Sequence, residues 1–290
     1  MKGLASLSLV FNALVWGLSW WPLRQLQLAG LHPLWATMLF FATGAVILLL
    51  WRPTVVGQVL RQPALLALGC VAGLTNASFN WGVSIGDVVR VVLLFYLMPL
   101  WAALLAWVLL KEALTWQSGL RMGLALCGAL LVLKPEGQGW PMLNSAAEVL
   151  GLLGGFGFAL TNVLLRQQAR QPVAMRAFAM FSGCTLLPGA LALGLSQSGM
   201  VPPWPALSWS WGGLVLVMSG VFVVANLALQ YGAGHLPVRL TSVLMLTEVI
   251  FASGSSVLWG GATLTGSVMT GGALIVLAAL LAAVGERDSS

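Results

Sequence analysis

Glu248 stands midway along an apolar stretch, 236–259, and is the only acidic residue placed deep within any such stretch of the chain. A lone carboxylate in hydrocarbon must be protonated, paired or turned toward a wet cavity, and ionisable groups in that position mark solute or ion pathways. The chemistry open to it is capture of a substrate ammonium or carriage of a proton. The structural alternative is a neutral acid hydrogen-bonded to a neighbouring helix. At helical spacing Thr241, Met245, Glu248, Ala252 and Ser255 share one face, mixed in polarity as a cavity wall would be.

Further candidates form stripes. Asn76, Asn80 and Ser84 recur at i, i+4 and i+8, and Ser219, Asn226 and Gln230 form a similar stripe later in the chain. Such amides bind a solute or act as glue between helices, worth about 0.6–2 kcal/mol each. Asn12, Trp16, Ser19 and Trp20 have related counterparts in Phe158, Thr161 and Asn162. Trp16, Tyr96 and Trp101 lie deep in their stretches and Trp81 nearer an end. These rings either pack or enclose a planar or cationic solute by stacking and cation–π contact. Arg90 and Arg239 open two apolar stretches; gating and snorkelling anchorage both suit them. The substrate-binding set expected from the residues is therefore Trp16, Trp20, Asn76, Asn80, Trp81, Tyr96, Trp101, Phe158, Asn162, Asn226, Gln230 and Glu248. Glu248, Arg90 and Arg239 are the coupling or gating candidates.

The elements that must hold these groups are membrane helices. Of 290 residues, 59% are hydrophobic and 7% charged, against about 25% charged in a soluble domain. Ten apolar segments are predicted, near 4–23, 33–51, 64–84, 88–109, 117–133, 147–167, 173–195, 209–231, 236–259 and 264–283. Each is near the ~20 residues that cross a bilayer. The breaks fall at His32-Pro33, Trp51-Arg52-Pro53, Lys134 to Gly137, Gln171-Pro172, Pro202 to Pro205 and Gly260-Gly261. Period-two alternation, the mark of a membrane barrel, is missing. The first apolar run carries no cleavage pattern and reads as a span rather than a leader. Trp51, Trp116, Trp140, Trp204, Trp209, Trp211 and Trp259 lie near predicted ends, where an aromatic belt forms.

Lys2, Arg52, Arg61, Lys111, Arg121, Arg166, Arg170, Arg176, Arg239 and Arg287 fall on one side of this topology, and Arg24, Arg90 and Lys134 on the other. The bias predicts cytoplasmic termini and residence in the inner or plasma membrane. Because the basic residues are scattered singly, nucleic acid is not an expected partner. His32 and His235 both sit near loops, no HExxH or GxSxG pattern occurs, and a second deep acid is missing. Catalysis, a metal and a cofactor are accordingly not expected. A P-loop is also missing. Cys70, Cys127 and Cys184 read as packing residues.

The chain repeats itself. Residues 88–133 align with 237–282 without a gap, so that Val89-Arg90 falls on Val238-Arg239, Ser118 on Ser267 and Gly123 on Gly272. Asn76 and Asn80-Trp81-Gly82 fall on Asn226 and Gln230-Tyr231-Gly232, and Leu23-Arg24-Gln25 falls on Leu165-Arg166-Gln167. Five spans per half is an odd number, so the halves 1–137 and 138–290 run in opposite directions. Inverted repeats of this kind hold a solute near the midplane of secondary transporters.

Leu14-Val15-Trp16-Gly17-Leu18-Ser19, Leu97-Met98-Pro99-Leu100, Leu110-Lys111-Glu112-Ala113-Leu114-Thr115 and the glycine-containing stretch from Ser118 to Lys134 resemble the ten-span, EamA-type proteins of the drug/metabolite transporter superfamily. In the second half Gly260-Gly261 replaces Lys111-Glu112, and Glu248 stands where the first half has Pro99. The resemblance implies an all-α membrane protein that exports small metabolites without ATP, with YddG-type aromatic amino acid exporters as the nearest kind. The expected partners are a small-molecule solute and the lipid bilayer, in a monomer or weak homodimer. Alternatives left open are export of an organic cation or drug-like solute coupled to protons through Glu248, and a passive channel or facilitator.

Overall fold

The computed structural model describes residues 2–111, 113, 115–134, 142–236, 238–260 and 262–285. Pro135 to Gly137, Trp140, Glu112, Leu114, Gly261 and Arg287, and with them the expected boundary between halves, lie outside the described residues. So do the side chains of Lys2, Val238 and Arg239. Among the described residues all regular structure is α-helix. Among the described residues nine segments are long and apolar enough to cross a membrane: Gly3–Leu28, Pro33–Trp51, Pro63–Ile85, Val88–Leu109, Trp116–Leu133, Ala146–Gln167, Val173–Gln197, Trp209–His235 and Gly266–Ala283. A shorter apolar helix, Val243–Leu258, lies between the last two. In chain order these are spans one to ten, and their positions agree with those expected from hydropathy.

Three spans are interrupted. Span one divides into Lys2–Leu18 and Trp20–Leu28, span four into Val88–Phe95 and Met98–Leu110, and span nine into Val238–Met245 and Thr247–Leu258. Proline explains two of the breaks, because Pro22 and Pro99 have no N–H for the carbonyls of Leu18 and Phe95. Span nine has no proline. Its turn tightens through Leu246 N–H to the Val243 carbonyl at 3.2 Å and Val249 N–H to the Leu246 carbonyl at 3.1 Å. In the repeat alignment Leu97 falls on Leu246, so spans four and nine break at equivalent positions.

The helix contacts obey the same symmetry. Span three packs on six as eight packs on one; four packs on six as nine packs on one; three packs on seven as eight packs on two. The pairs two–seven, four–nine and five–ten map onto themselves. Registers agree as well. A Cβ at Gly82 would lie 3.3 Å from the Ala147 carbonyl, and one at Gly232 would lie 2.8 Å from the Ala5 carbonyl, its repeat equivalent. Lipid tails are as apolar as leucine, so association in the bilayer rests on such close approaches and on hydrogen bonds.

Each five-span half contributes spans to both bundles. One bundle gathers spans three, four, six and seven, and the other gathers one, two, eight and nine. Spans five and ten pack on each other.

The core is uneven along the membrane normal. At the Arg90 end and through the middle, one cluster joins both bundles, with Leu23, Leu34, Val83, Val88, Ala147, Val215 and Val249 among its members. At the opposite end it gives way to two separate clusters. One, around Val59, Leu65, Leu68, Met175 and Ala179, belongs to the first bundle and the connection leading into it. The other, around Ala5, Leu9 and Leu236, belongs to the second.

Candidate functional site

The two breaks meet. Tyr96, at the C-terminus of Val88–Phe95, directs its hydroxyl across the bundle interface to Glu248 Oε2 at 3.2 Å and to the Met245 carbonyl at 3.4 Å. Glu248 sits in the first turn of Thr247–Leu258 and is 8% exposed; Tyr96 is 3% exposed. A helix that breaks leaves carbonyls and N–H groups without intrahelical partners, and the tyrosine hydroxyl reaches into that region. Two glycines let neighbouring helices approach the broken backbones. A Cβ on Gly17 in span one would lie 2.9 Å from the Glu248 carbonyl and 2.7 Å from Phe251 Cβ. Gly155 in span six lies so close to the Phe95 carbonyl, which Pro99 leaves without its helical donor, that a Cβ there would collide with it.

Aromatic rings pack together in both bundles. Trp16 packs on Phe222 at 4.8 Å between centroids, Phe222 on Phe40 at 5.3 Å, and Phe95 on Phe79 at 4.7 Å and on Tyr96 at 6.0 Å. Phe158 reaches Phe95 at 5.5 Å from the exposed side of span six. Trp20 donates its indole N–H to Ser255 Oγ at 2.9 Å, one of the residues on the Glu248 face of span nine.

The amides divide. Asn80 is fully buried and donates to Thr37 Oγ1 at 3.0 Å, so its partner lies in span two. Asn76 donates to the Ala72 carbonyl and to Cys184 Sγ, at 3.0 and 3.3 Å. Gln230 donates to Asn226 at 2.9 Å, and both lie with exposed Asn162 toward the end where the core divides. Trp81 stacks edge-on with His32, and Trp101 with Phe156, at 5.0 and 5.6 Å. Thus Tyr96 and Glu248 are brought into contact, whereas Asn76 and Asn80 bond elsewhere in their own surroundings.

Several buried polar atoms have no protein partner: Asn12 Oδ1, Asn80 Oδ1, Trp101 Nε1, Thr161 Oγ1 and Thr241 Oγ1. They fall on spans one, three, four, six and nine. An unpaired polar atom at membrane depth is costly, and here such atoms occur on both sides of the interface between the bundles.

Two further acids do not stand out in the sequence. Arg90 is held by Glu148, 3.4 Å away, within the first bundle. Ser145 caps span six by accepting from Glu148 N–H at 3.2 Å while Glu148 accepts from Asn144 N–H at 2.7 Å. The Ser-x-x-Glu pattern before an apolar run is the legible signal for this cap. Asp87 caps the first half of span four through Arg90 N–H at 3.0 Å, and its other oxygen accepts from Thr263 N–H at 3.0 Å. His32, outside the spans, accepts from Leu34 N–H at 3.2 Å, and burial lowers its pKa to about 4. At neutral pH it is uncharged, as an acceptor nitrogen requires.

Residues 3–134 match the EamA-like transporter family. A protein of Archaeoglobus fulgidus described as an uncharacterized transporter is 27% identical over 224 residues, which cover 75% of this chain and 75% of that one. A protein known from its crystal structure superposes with a TM-score of 0.58 over 96% of each chain at 20% identity, a likeness of fold. The first part of the chain is thus similar to a family of membrane transporters, and the nine span-length apolar helices and one shorter apolar helix among the described residues are those of an integral membrane protein.

Proposed function

We propose that the protein is a secondary transporter that exports a small amine-bearing metabolite, best matched by an amino acid, through alternating access between its two bundles. The observation that carries the reading is the Tyr96–Glu248 contact, formed where two repeat-equivalent spans break and face each other across the bundle interface. Glu248 supplies a carboxylate for an ammonium group. The half-helices beginning at Met98 and Thr247 direct their N-terminal ends toward the same level, where a solute carboxylate would be favoured. Trp16, Trp20, Phe95 and Phe222 furnish apolar and π surface for a side chain, aromatic ones included.

The uneven core supports the alternating part. Joined at the Arg90 end and divided at the other, it corresponds to a path closed on one side, with Asn162, Asn226 and Gln230 along the opening. The Lys and Arg bias supports an opening on the cytoplasmic side of the inner or plasma membrane, with both termini inside. The two five-span halves, 1–137 and 138–290, are then structural repeats that supply helices to both bundles.

A second reading is favoured by the partner of Glu248. Among the described residues it is held by a hydroxyl rather than by a base, so an organic cation exchanged against protons fits the same site. Counterflow of radiolabelled amino acids and organic amines in proteoliposomes tests both readings. Saturable counterflow abolished by Glu248→Gln is expected. Single-channel currents, or counterflow indifferent to that substitution, would overturn the site.

A further inference from the structure

We infer that Asp87 is a one-sided lock holding the transport path shut at the Arg90 end; the inference rests on the alternating-access reading above. Asp87 lies in the turn between spans three and four, in the first bundle. Its Oδ2 accepts the backbone N–H of Thr263 at 3.0 Å, in the connection between spans nine and ten that follows the second bundle. Beside it Arg24, at the end of span one in the second bundle, donates to the Gly86 carbonyl and feels the Asp87 charge. Arg24 is itself held over the Trp20 ring at 5.0 Å. The Asp87 carboxylate therefore ties its turn to the connection between spans nine and ten, and the adjacent Gly86 carbonyl ties the same turn to span one, so that both ties cross the bundle boundary at a single end of the molecule.

The inverted repeat shows why this matters. Its symmetry would place an equivalent lock at the opposite end, made from the residues that align with these. Arg24 does align with a base, Arg166. Asp87 aligns with Leu236, and the turn Ala233-Gly234-His235-Leu236 contains no carboxylate. Thr263 aligns with Leu114. Leu236 is instead buried in the cluster with Ala5 and Leu9, inside the second bundle. The fold can exchange its two gates by symmetry, but the acid that closes one of them has no counterpart in the other. A charge-assisted bond present in only one of two related states displaces their equilibrium toward that state. The resting transporter is thus held closed at the Arg90 end, where the core is continuous, and opens at the other, where the core divides.

The test must separate the lock from the cap, because Asp87 also caps span four. Asp87→Asn and Asp87→Ser both retain a capping oxygen. Neither reproduces the bond to Thr263, since the amide offers a donor there and the serine is too short. Ser145→Ala removes a cap from span six and leaves the lock alone. Each is placed in a full-length chain with Cys70, Cys127 and Cys184 replaced by alanine and Ser255→Cys as the reporter, in sealed vesicles treated with a membrane-impermeant maleimide. A Trp209→Cys chain, exposed at the Arg90 end, identifies the vesicles that present that end. In those vesicles both Asp87 variants should raise the initial labelling rate roughly tenfold or more, the scale of one charge-assisted bond, and Ser145→Ala should leave it unchanged. Equal labelling of the Asp87 variants and the parent would overturn the lock while leaving counterflow, and so the transporter reading, untouched. An increase with Ser145→Ala as large as with Asp87→Asn would assign the effect to loosened helix ends and also overturn it.

Discussion

Removing the Tyr96 hydroxyl tests whether the two helix breaks are coupled. The bond to Glu248 is 3.2 Å long, well beyond the ~2.6 Å of a strong hydroxyl–carboxylate bond. It therefore belongs at the low end for bonds to charged groups, about 1.5 kcal/mol. The weaker contact of the same hydroxyl with the Met245 carbonyl, at 3.4 Å, adds little. Tyr96→Phe keeps the ring against Phe95 and removes only these bonds. On the wild-type background it should cost about 1.5 kcal/mol, a fall in apparent Tm of roughly 3 °C for a chain of this size. On a Glu248→Met background, where an unbranched apolar side chain fills the space without an acceptor, the same substitution should cost less than half as much. The cycle is measured by thermal unfolding of purified protein in detergent, with tryptophan fluorescence as the signal. A coupling energy near 1 kcal/mol is expected. Additivity within about 0.3 kcal/mol, the behaviour of independent sites, would refute the claim that the breaks are joined through this pair.

Two more outcomes follow from buried geometry. Gly17→Ala forces a methyl into the backbone of span nine beside Glu248 and should destabilise by about 1–3 kcal/mol, whereas Gly123→Ala, where the new carbon meets open space, should be neutral or stabilise by up to about 1 kcal/mol; thermal shifts of the two variants compare them directly. His32 titrates near 6.5 when unfolded and about 4 when folded. Between these values the unfolded chain binds more protons, so stability declines as pH is lowered from about 6.5 toward 4. His32→Asn, which keeps an acceptor for Leu34 N–H, should show a shallower decline in Tm over that window than the parent; an unchanged slope would remove His32 as its source.

The ten spans are legible in the sequence because about twenty apolar residues have one physical solution in a bilayer. The break in span four is legible too, since Pro99 removes a helical donor. The break in span nine is not: Leu246-Thr247-Glu248 contains no residue that forbids helix, and the turn is visible only in its hydrogen bonds. Periodicity identified the polar faces of spans three and eight but not what those faces touch. Asn80 bonds to Thr37 and Asn76 to Cys184, partners that no spacing along one helix can reveal. Pairing Tyr96 with Glu248 required the bundles, because the repeat aligns Glu248 with Pro99 and gives no reason to place it against residue 96. The division of the halves between two bundles lies beyond sequence for the same reason: an internal repeat states which helices are equivalent, not which are neighbours.

The central claim is that the interface between the bundles opens during transport, and tethering it is the most direct test. Asp87→Cys and Thr263→Cys, introduced together in a chain without its native cysteines, can be joined at the Arg90 end by oxidation or by a short bifunctional thiol reagent. Counterflow in proteoliposomes should stop when the pair is joined by oxidation and return when a reductant releases it, while each single-cysteine chain is indifferent to both treatments. Undiminished counterflow in a fully joined population would contradict the account.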